Sequence, residues 1–355
     1  MDVRIAEKII GPDHPTYFIA DIAANHDGDL DRAKKLIRLA GEAGADAAKF
    51  QNFRAESIVS NHGFRALGGQ MAHQAAWQRS VVEVYQDASI PLTWTAELKA
   101  ECDRIGIHYF SSPYDFGAID HLEPFVPAYK VGSGDIDWLE ALTRIASKGK
   151  PVILATGASS IEDVQRAMDT VLAQTNQIVL MQCNTNYTAD SDNYDYLNLR
   201  VLEAYATLYP GVVLGLSDHT HAIAPVLGAV ALGARVVERH FTDDNQREGP
   251  DHRFALTPDA WSHMVHETRL LERSLGTPVK RVEGNETKSA IVQRRCLRAA
   301  RPIGAGETID RSMIDVLRPA TPGAILPPDI GHVLGRRARH AVEAGAALTW
   351  TDLEG

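Results

Sequence analysis

The chain has 355 residues, 45% of them hydrophobic and 23% charged, the balance of a globular protein with room for one large domain and a small second one. A formal net charge of −10 argues against nucleic acid and anionic membranes as partners. The apolar runs are too short for membrane spans, the first residues do not resemble a signal peptide, and the odd number of cysteines argues against a disulfide framework. We therefore expect a cytoplasmic protein.

Eight short apolar runs, each ending in polar residues, recur along the first three-quarters of the chain. The segments between them have apolar residues at helical spacing, as in 30–44 and 159–174. Strands that alternate with helices form a parallel sheet, and eight such units predict an α/β fold, the (β/α)₈ TIM barrel, over residues 1–276. The runs lie at 17–26, 46–53, 106–115, 128–135, 151–158, 177–187, 212–220 and 234–241.

The ends of these runs are rich in residues that can carry chemistry. In a TIM barrel the catalytic residues sit at the carboxyl ends of the strands, so this pattern predicts an enzyme. The residues at these ends are Asp21, Lys49, Ser112, Lys130, Ser133, Asp135, Asn186, Tyr187, His219 and His240.

The last quarter of the chain has a different character. The final barrel helix is predicted to stop at Gly276, and the polar segment 277–290 is typical of a linker. Residues 291–355 contain short β-like pieces, in which 303–309 and 342–348 match in their apolar and glycine positions. We expect a compact β-rich domain with internal pseudo-symmetry.

Two histidines suggest a metal site. His219 and His240 end neighbouring strands, where imidazoles can converge on one divalent cation, with Asp218 or Asp251 completing the site or orienting the rings. The alternative is two hydrogen-bonded pocket histidines without metal, and the residues alone leave both open.

Lys49 and Lys130 lie in apolar surroundings, and a buried lysine needs a partner. We favour a cradle for phosphate and carboxylate groups, with Ser112 and Ser133 as donors, over a structural pair with Asp21 or Asp135. A Schiff-base lysine is the third alternative.

Other polar residues have simpler interpretations. Asp21 and Asp135 are candidates for sugar binding or proton transfer. Asp27 or Asp29 is expected to cap the first helix, and His26 to lie in a turn. Cys183 is expected to be a packing residue. The long segment 54–105 is predicted to build substrate loops at the barrel mouth.

These motifs resemble the sialic acid (N-acetylneuraminate) synthase family from end to end, and the last part resembles the family's antifreeze-like (SAF) domain, a β-clip fold. The order of SDHT, ERHFT and GPDH is highly specific for the family. The matching pieces are NHDGDLDRAKKLI, GADAAKFQ, FSSPYD, AYKVGSGD, KPVILATG, LSDHT, GARVVERHFT and GPDH.

The resemblance implies a condensation of phosphoenolpyruvate with an N-acyl hexosamine, such as N-acetylmannosamine or a 2,4-diacetamido hexose, to a nine-carbon α-keto acid and phosphate. It implies a divalent cation, Mn²⁺ or Mg²⁺ with Co²⁺ as a further candidate, on His219 and His240. It also implies a domain-swapped homodimer in which Arg318 reaches the partner's sugar pocket. The implied phosphoenolpyruvate positions are Lys49, Ser112, Lys130, Ser133 and Ser217, and the implied sugar-contacting positions are Asn186, Tyr187 and Asp251.

The chain departs from the family pattern where the acceptor would bind. The family commonly has glutamate at the positions of Asp21 and Asp135 and serine at that of Ala155, and the loop after the sixth strand is extended. These differences leave two alternatives beside the leading one. A phosphorylated or different aldose acceptor would use Arg54, Arg65 or Arg79, and a sugar-binding protein without catalysis would have no use for the two histidines.

Overall fold

The structure is a computed structural model that describes residues 2–68, 70–71, 74–75, 77–188 and 190–354. The chain divides into two compact units, Met1–Gly276 and Thr277–Gly355. Among the described residues, no helix is long and apolar enough to cross a membrane.

The first unit is built around eight parallel strands, which confirms the predicted barrel. They follow a short antiparallel hairpin, β1 (Val3–Ile5) and β2 (Lys8–Ile10). The strands hydrogen-bond in the order β5-β4-β3-β10-β9-β8-β7-β6, and β5 and β6 lie side by side. They are β3 (Tyr17–Asp21), β4 (Ala47–Asn52), β5 (His108–Pro113), β6 (Tyr129–Val131), β7 (Val152–Ala155), β8 (Ile178–Cys183), β9 (Val213–Asp218) and β10 (Ala234–His240).

Helices cover the outside of the sheet and occur in the long segment after β4. Asp29 caps the first helix by accepting hydrogen bonds from the backbone N–H groups of Asp31 and Arg32. The helices are α1 (Leu30–Glu42), α2 (Ala55–Ile58), α3 (Asn61–Ala66), α4 (Val81–Ala88), α5 (Thr95–Ile105), α6 (Phe116–Leu122), α7 (Leu139–Ala146), α8 (Ile161–Leu172), α9 (Val201–Leu208), α10 (Ala224–Ala231) and α11 (Pro258–Leu275).

The barrel unit has two apolar layers. One fills the space between the sheet and the surrounding helices, where α11 contributes the buried Trp261 and Met264. The other lies inside the barrel, where the hairpin residues Val3, Ile5 and Ile10 pack with inward-facing strand residues. Because the hairpin packs at the amino ends of the strands, the opposite end is left for the polar residues.

The second unit is small and β-rich. It contains α12 (Thr287–Gln293), the antiparallel pair β11 (Cys296–Ala299) and β12 (Ile314–Leu317), and α13 (Ile330–Val333). Ile303 and Val342, which are matched positions of the sequence repeat, exchange both backbone hydrogen bonds at 2.9 Å. Each repeat turns at a glycine with positive φ, so the pseudo-symmetry seen in the sequence exists in the backbone.

Candidate active site

Two buried lysines occupy the barrel interior near the carboxyl ends of the strands. Nζ of Lys49 lies 2.6 Å from Oδ2 of Asp21 and 3.6 Å from Oε1 of Glu238. Nζ of Lys130 lies 3.4 Å from the same Glu238 oxygen. Burial alone would lower the pKa of Lys49, but the charges of Asp21 and Glu238 outweigh it and raise the pKa above its usual value. Lys49 is therefore a charged group held among carboxylates, and Lys130 shares the Glu238 carboxylate with it.

The strand register explains this arrangement. His240 pairs with Asp21, and Asp21 pairs with Lys49, on three adjacent strands, so these side chains lie side by side at one height. Glu238, two residues before His240, faces the same side of β10. The sequence analysis missed Glu238, although its alternation with His240 was a usable signal. It also predicted Asp135 as an alternative partner for Lys130, whereas the ion pair is with Glu238.

The two histidines are adjacent, with ring centroids 5.3 Å apart. Nδ1 of His219 donates to the Asn184 carbonyl at 2.8 Å, and the Cys183 side chain outweighs burial and raises the pKa of this histidine. Burial and the charges of His219 and Lys49 hold the pKa of His240 well below its usual value, so this ring is neutral. Nδ1 of His240 is buried and has no hydrogen-bond partner among the described residues. The neutral His240 ring therefore offers a nitrogen without a partner among the described residues, next to His219 on the neighbouring strand.

Asp218 does not join these histidines. It follows Ser217 and precedes His219, so alternation turns its side chain to the helix side of the sheet. There Oδ2 lies 3.3 Å from Nε of the buried Arg239. The suggestion that Asp218 completes a metal site is therefore wrong. Among the described residues, no group of three or more His, Cys, Asp or Glu side chains could hold a metal ion.

A cavity of about 220 Å³ opens at this end of the barrel. Five of the predicted site residues line it: Ser133, Asp135, Tyr187, His240 and Asp251. Burial, with the nearby charge of Asp137, raises the pKa of Asp135 to about 6. Burial, with the charge of Asp21, likewise raises the pKa of Asp251 to about 6. The cavity thus holds two carboxylates that can exchange protons near neutral pH.

The predicted serines differ in their surroundings. Ser112, at the end of β5, has a buried Oγ without a hydrogen-bond partner among the described residues. Oγ of Ser133 accepts a 2.9 Å hydrogen bond from the Gly157 N–H. Ser217 donates to Glu238 at 3.4 Å. Among these three serines, Ser112 is thus the one whose Oγ has no partner among the described residues.

Two predicted residues lie elsewhere. Asn186 is exposed, and its Oδ1 accepts from the backbone N–H of Thr188 at 3.0 Å. It does not line the cavity. Arg318 is exposed and follows β12 in the second unit. The buried Cys183 has its thiol against His219, closer to the site than a purely packing residue would be.

Aromatic residues enclose the histidines. The Tyr187 ring packs edge-on against His219 with centroids 4.4 Å apart. Phe254, which the sequence analysis missed, packs against His240 at 4.8 Å. These contacts keep both imidazoles in an apolar surrounding on the side away from the lysines.

A charged network joins the loop after β3 to the loop after β10. The Asp27 carboxylate lies 2.7 Å from Nη2 of Arg247 and 3.1 Å from Nε of Arg32, and it accepts a 2.9 Å hydrogen bond from the fully buried His252. Nearby, the backbone N–H of Ala24 donates to Asp251 at 3.1 Å. The two loops are thereby held together beside the cavity.

Sequence profiles place the chain among known proteins. The NeuB family matches residues 36–280, and the SAF domain matches residues 294–354. The N-acetylneuraminate-9-phosphate synthase of Homo sapiens is 32% identical over 94% of this chain and 91% of its own length. The N,N'-diacetyllegionaminic acid synthase of Legionella pneumophila is 32% identical over 95% of this chain and 94% of its own length.

Solved structures agree with these matches. The N-acetylneuraminic acid (sialic acid) synthetase of Leptospira borgpetersenii, determined with citrate, superposes with a TM-score of 0.72 at 25% identity, covering 81% of this chain and 95% of that one. This chain thus combines a barrel that has a buried lysine pair and a histidine pair at its mouth with a SAF domain that follows it in the sequence. The chain belongs to the NeuB family. It is an enzyme, as the synthase names of its relatives indicate, and both the family resemblance and the predicted enzyme are confirmed.

Proposed function

We propose that this enzyme is a nonulosonic acid synthase. It condenses phosphoenolpyruvate, an N-acyl hexosamine and water to a nine-carbon α-keto acid and inorganic phosphate. The observation that carries the proposal is the pair of buried lysines below a cavity lined by carboxylates and an imidazole, in a chain of the NeuB family. The names of the human and Legionella relatives support nine-carbon acids as the product class.

Phosphoenolpyruvate is assigned to the lysine end of the site. Its phosphate and carboxylate groups match two ammonium groups, each with three N–H donors that Asp21 and Glu238 do not exhaust. Ser112 adds a buried hydroxyl with an unused donor, Ser133 lies in the turn after β6, and Ser217 donates to Glu238, the carboxylate that both lysines share. In this role Asp21 orients the Lys49 ammonium.

A divalent cation is assigned to His219 and His240, with Mn²⁺ or Mg²⁺ preferred and Co²⁺ as a further candidate. The donor set fits, because Nδ1 of His240 is buried without a partner among the described residues and the His219 ring lies beside it, with centroids 5.3 Å apart. Water and the acceptor would supply the other ligands. Such a cation supplies Lewis acidity for the acceptor's aldehyde group.

The reaction forms a C–C bond and a bond from C2 to the oxygen of water, and it breaks the C2–O bond to phosphate; the C2 hydroxyl loses its proton in that last step, which leaves the ketone. C3 of the enol attacks the aldehyde carbon, and the new alkoxide takes up a proton. Positive charge develops at C2, where water adds and gives up a proton, and the C2–O bond to phosphate then breaks. Asp135 suits the acceptance of that proton, because it lines the cavity and its pKa is raised to about 6. Tyr187 and Asp251 are assigned to acceptor binding.

The assembly proposed here is a homodimer in the cytoplasm, in which the SAF domain of one chain covers the barrel mouth of the other. Arg318 would then contribute to the partner's sugar site, and Asn186 would contact the sugar only if its loop rearranges. Sedimentation tests the dimer. Mixing two variants that are each expected to be inactive, Arg318→Ala and His240→Ala, tests whether one site takes residues from both chains. Restored activity in the mixture supports a site shared between chains, and no restoration contradicts it.

A phosphorylated acceptor is the second candidate, because the human relative is named for a 9-phosphate product and Arg79 lines a neighbouring cavity of about 670 Å³. Of the three arginines predicted for this role, Arg54 pairs with Asp115 at 3.1 Å and Arg79 with Asp87. Arg65 donates to the Asn61 carbonyl at 3.3 Å. A phosphate group would have to displace a carboxylate from Arg79.

The deciding experiment measures phosphate release from phosphoenolpyruvate with Mn²⁺ against N-acyl hexosamines, hexoses and their 6-phosphates, with a chelator control. Release that needs metal and an unphosphorylated N-acyl aldose supports the proposal. Release only with 6-phosphates supports the second candidate. His219→Ala and His240→Ala should each abolish turnover, and full activity in both would refute the metal assignment. Borohydride trapping of pyruvate on Lys49 or Lys130 would instead indicate a Schiff base.

A further inference from the structure

One side of the cavity of about 220 Å³ is aromatic, and most of it comes from the segment after β4. Phe53, Trp77, Tyr85 and Tyr114 all line this cavity. Their rings form a continuous row: Trp77 and Tyr85 have centroids 6.4 Å apart, Tyr85 and Phe53 5.3 Å, and Phe53 and Tyr114 5.7 Å. Val84 and Ala88 of α4 extend this side. We call Phe53, Trp77, Val84, Tyr85 and Ala88 the insertion wall.

The rest of the cavity is polar. Gln51, Asp135, His240 and Asp251 line it together with the turn Gly132–Gly134. A ligand that fills this space therefore needs polar groups on one side and an apolar substituent on the other, since buried polar groups require partners and apolar surface excludes water. Phosphoenolpyruvate is almost entirely polar, and the carbon chain of an aldose carries a hydroxyl at nearly every position.

The insertion wall continues into the neighbouring cavity of about 670 Å³. Trp77, Val84 and Ala88, with Ala24 and Pro250, line both cavities. The apolar surface thus has room beyond the space that faces Asp135 and Asp251. A substituent lying along it can lengthen without meeting a closed end.

We propose that the insertion wall binds the acyl groups of the acceptor's acylamino substituents and that Val84 and Tyr85 determine which acyl groups are accepted. This inference rests on the proposed function and specifies its substrate class. One methylene in an apolar pocket changes kcat/KM by about 10- to 200-fold, so a wall of this kind discriminates acylated from unacylated aldoses. The open continuation favours acceptors with a second or a longer acyl group.

The first test is an acyl-length series. Hexosamines with N-formyl, N-acetyl, N-propanoyl and N-butanoyl groups are compared by kcat/KM in phosphate release. Val84→Phe narrows the passage between the two cavities, so the ratio of N-butanoyl to N-formyl should fall by at least ~10-fold. Val82→Phe is the matched control, because Val82 lies on the same helix and lines neither cavity. An equal ratio in wild type, Val84→Phe and Val82→Phe overturns the inference and leaves the proposed function standing.

The second test does not need turnover. Saturation-transfer NMR on N-acetylmannosamine with phosphoenolpyruvate present reports which sugar protons touch the protein. The acyl methyl should receive the strongest saturation in wild type and lose most of it in Tyr85→Ser. Stronger saturation of ring protons than of the methyl in wild type would overturn the inference. If no aldose releases phosphate yet the methyl contact is seen and is lost in Tyr85→Ser, the proposed reaction fails and the acyl site stands.

Discussion

The two ends of the barrel are built from opposite kinds of side chain. At the amino ends of the strands, Val3, Ile5 and Ile10 of the hairpin pack with Tyr17 and Val179 in a wholly apolar layer. At the carboxyl ends, the same interior holds two lysines, two carboxylates and two histidines, and several of the buried polar atoms there have no partner among the described residues.

The difference separates stability from chemistry. Burial of apolar side chains at the amino ends of the strands stabilises the fold by about 25 cal/mol for each Å² of apolar surface removed from water. Charged groups at the carboxyl ends of the strands cost free energy to desolvate, and ion pairs such as Lys49–Asp21 offset that cost. Substitutions at the two ends should therefore have effects of different kinds, and four experiments examine this.

The largest effect is expected for Lys130→Met. Methionine keeps the bulk of the side chain but removes a buried cation from the site assigned to phosphoenolpyruvate. Loss of such a contact should raise KM for phosphoenolpyruvate at least ~100-fold. Initial rates at saturating acceptor measure this. Lys99→Met, on the surface of α5, should behave as wild type. If KM for phosphoenolpyruvate in Lys130→Met stays within about threefold of wild type, as it should in Lys99→Met, the assignment is contradicted.

Substitutions at the amino ends of the barrel strands should change the free energy of unfolding but not the activity. Ile5 is fully buried in the hairpin layer, so Ile5→Ala leaves a cavity and should lower the free energy of unfolding by about 2–4 kcal/mol. Urea denaturation followed by tryptophan fluorescence measures the loss. Because Ile5 lies at the opposite end from the reacting groups, kcat at a temperature where the variant is folded should not change. A fall in kcat without a loss of stability would break the proposed separation.

An intermediate effect is expected for the network that joins two mouth loops. Asp27→Asn keeps the positive φ of 52° that asparagine tolerates but removes the charge facing Arg32, Arg247 and His252. The loop with Asp251 should loosen, and kcat/KM for the acceptor should fall about tenfold, while phosphoenolpyruvate binding is kept. Steady-state kinetics and calorimetry separate the two quantities.

The control for this prediction is Asp29→Ala. Asp29 caps α1 through the backbone N–H groups of Asp31 and Arg32, whereas the Arg32 side chain pairs with Asp27 and Asp243, so the variant should lose about 1 kcal/mol of stability without a change in acceptor kinetics. If both variants shift the acceptor kinetics equally, the network has no specific positioning role.

Much of this architecture could be predicted from the sequence, because each barrel strand is a short apolar run with polar residues at its end. The inward positions of Lys49, Lys130 and His240 followed from that pattern. Ion pairs across the barrel interior could not be predicted, because they depend on how the sheet closes into a barrel. Glu238 pairs with Lys130 although 108 positions separate them in the sequence. Asp218 was suggested, with Asp251, to complete the metal site or orient the rings, whereas its carboxylate lies 3.3 Å from Nε of Arg239 because its side chain alternates with that of His219.

The acceptor side was less predictable for a different reason. The insertion wall comes from loops and a short helix, and no periodic pattern in the sequence marks them. Their positions depend on packing, as where Phe53 of the wall contacts both Tyr85 and Tyr114. Asn186 illustrates the same point, because its loop hydrogen bonds turn it away from the cavity that the family match suggested.

The smallest effect, and the one that joins stability to chemistry, concerns Asp135. Its pKa rises from 3.8 to about 6 on folding because burial and Asp137 disfavour the charge. The folded state therefore binds more protons than the unfolded state between about pH 4 and 6, so this group favours the folded state at low pH and loses that advantage as pH rises. Asp135→Asn should be more stable than wild type at pH 8, by on the order of 1 kcal/mol, and equal to it at pH 4.

The same variant should lose activity, and wild-type kcat/KM should fall below about pH 6 as the base becomes protonated. Denaturation at both pH values measures the first effect, and Asp137→Asn should give a smaller effect of the same sign because it removes one cause of the raised Asp135 pKa. A pH–rate profile measures the second effect, with Asp251 titrating in the same range. A variant that is both unstable at pH 8 and fully active would show that the Asp135 charge neither strains the upper end of the barrel nor serves the reaction.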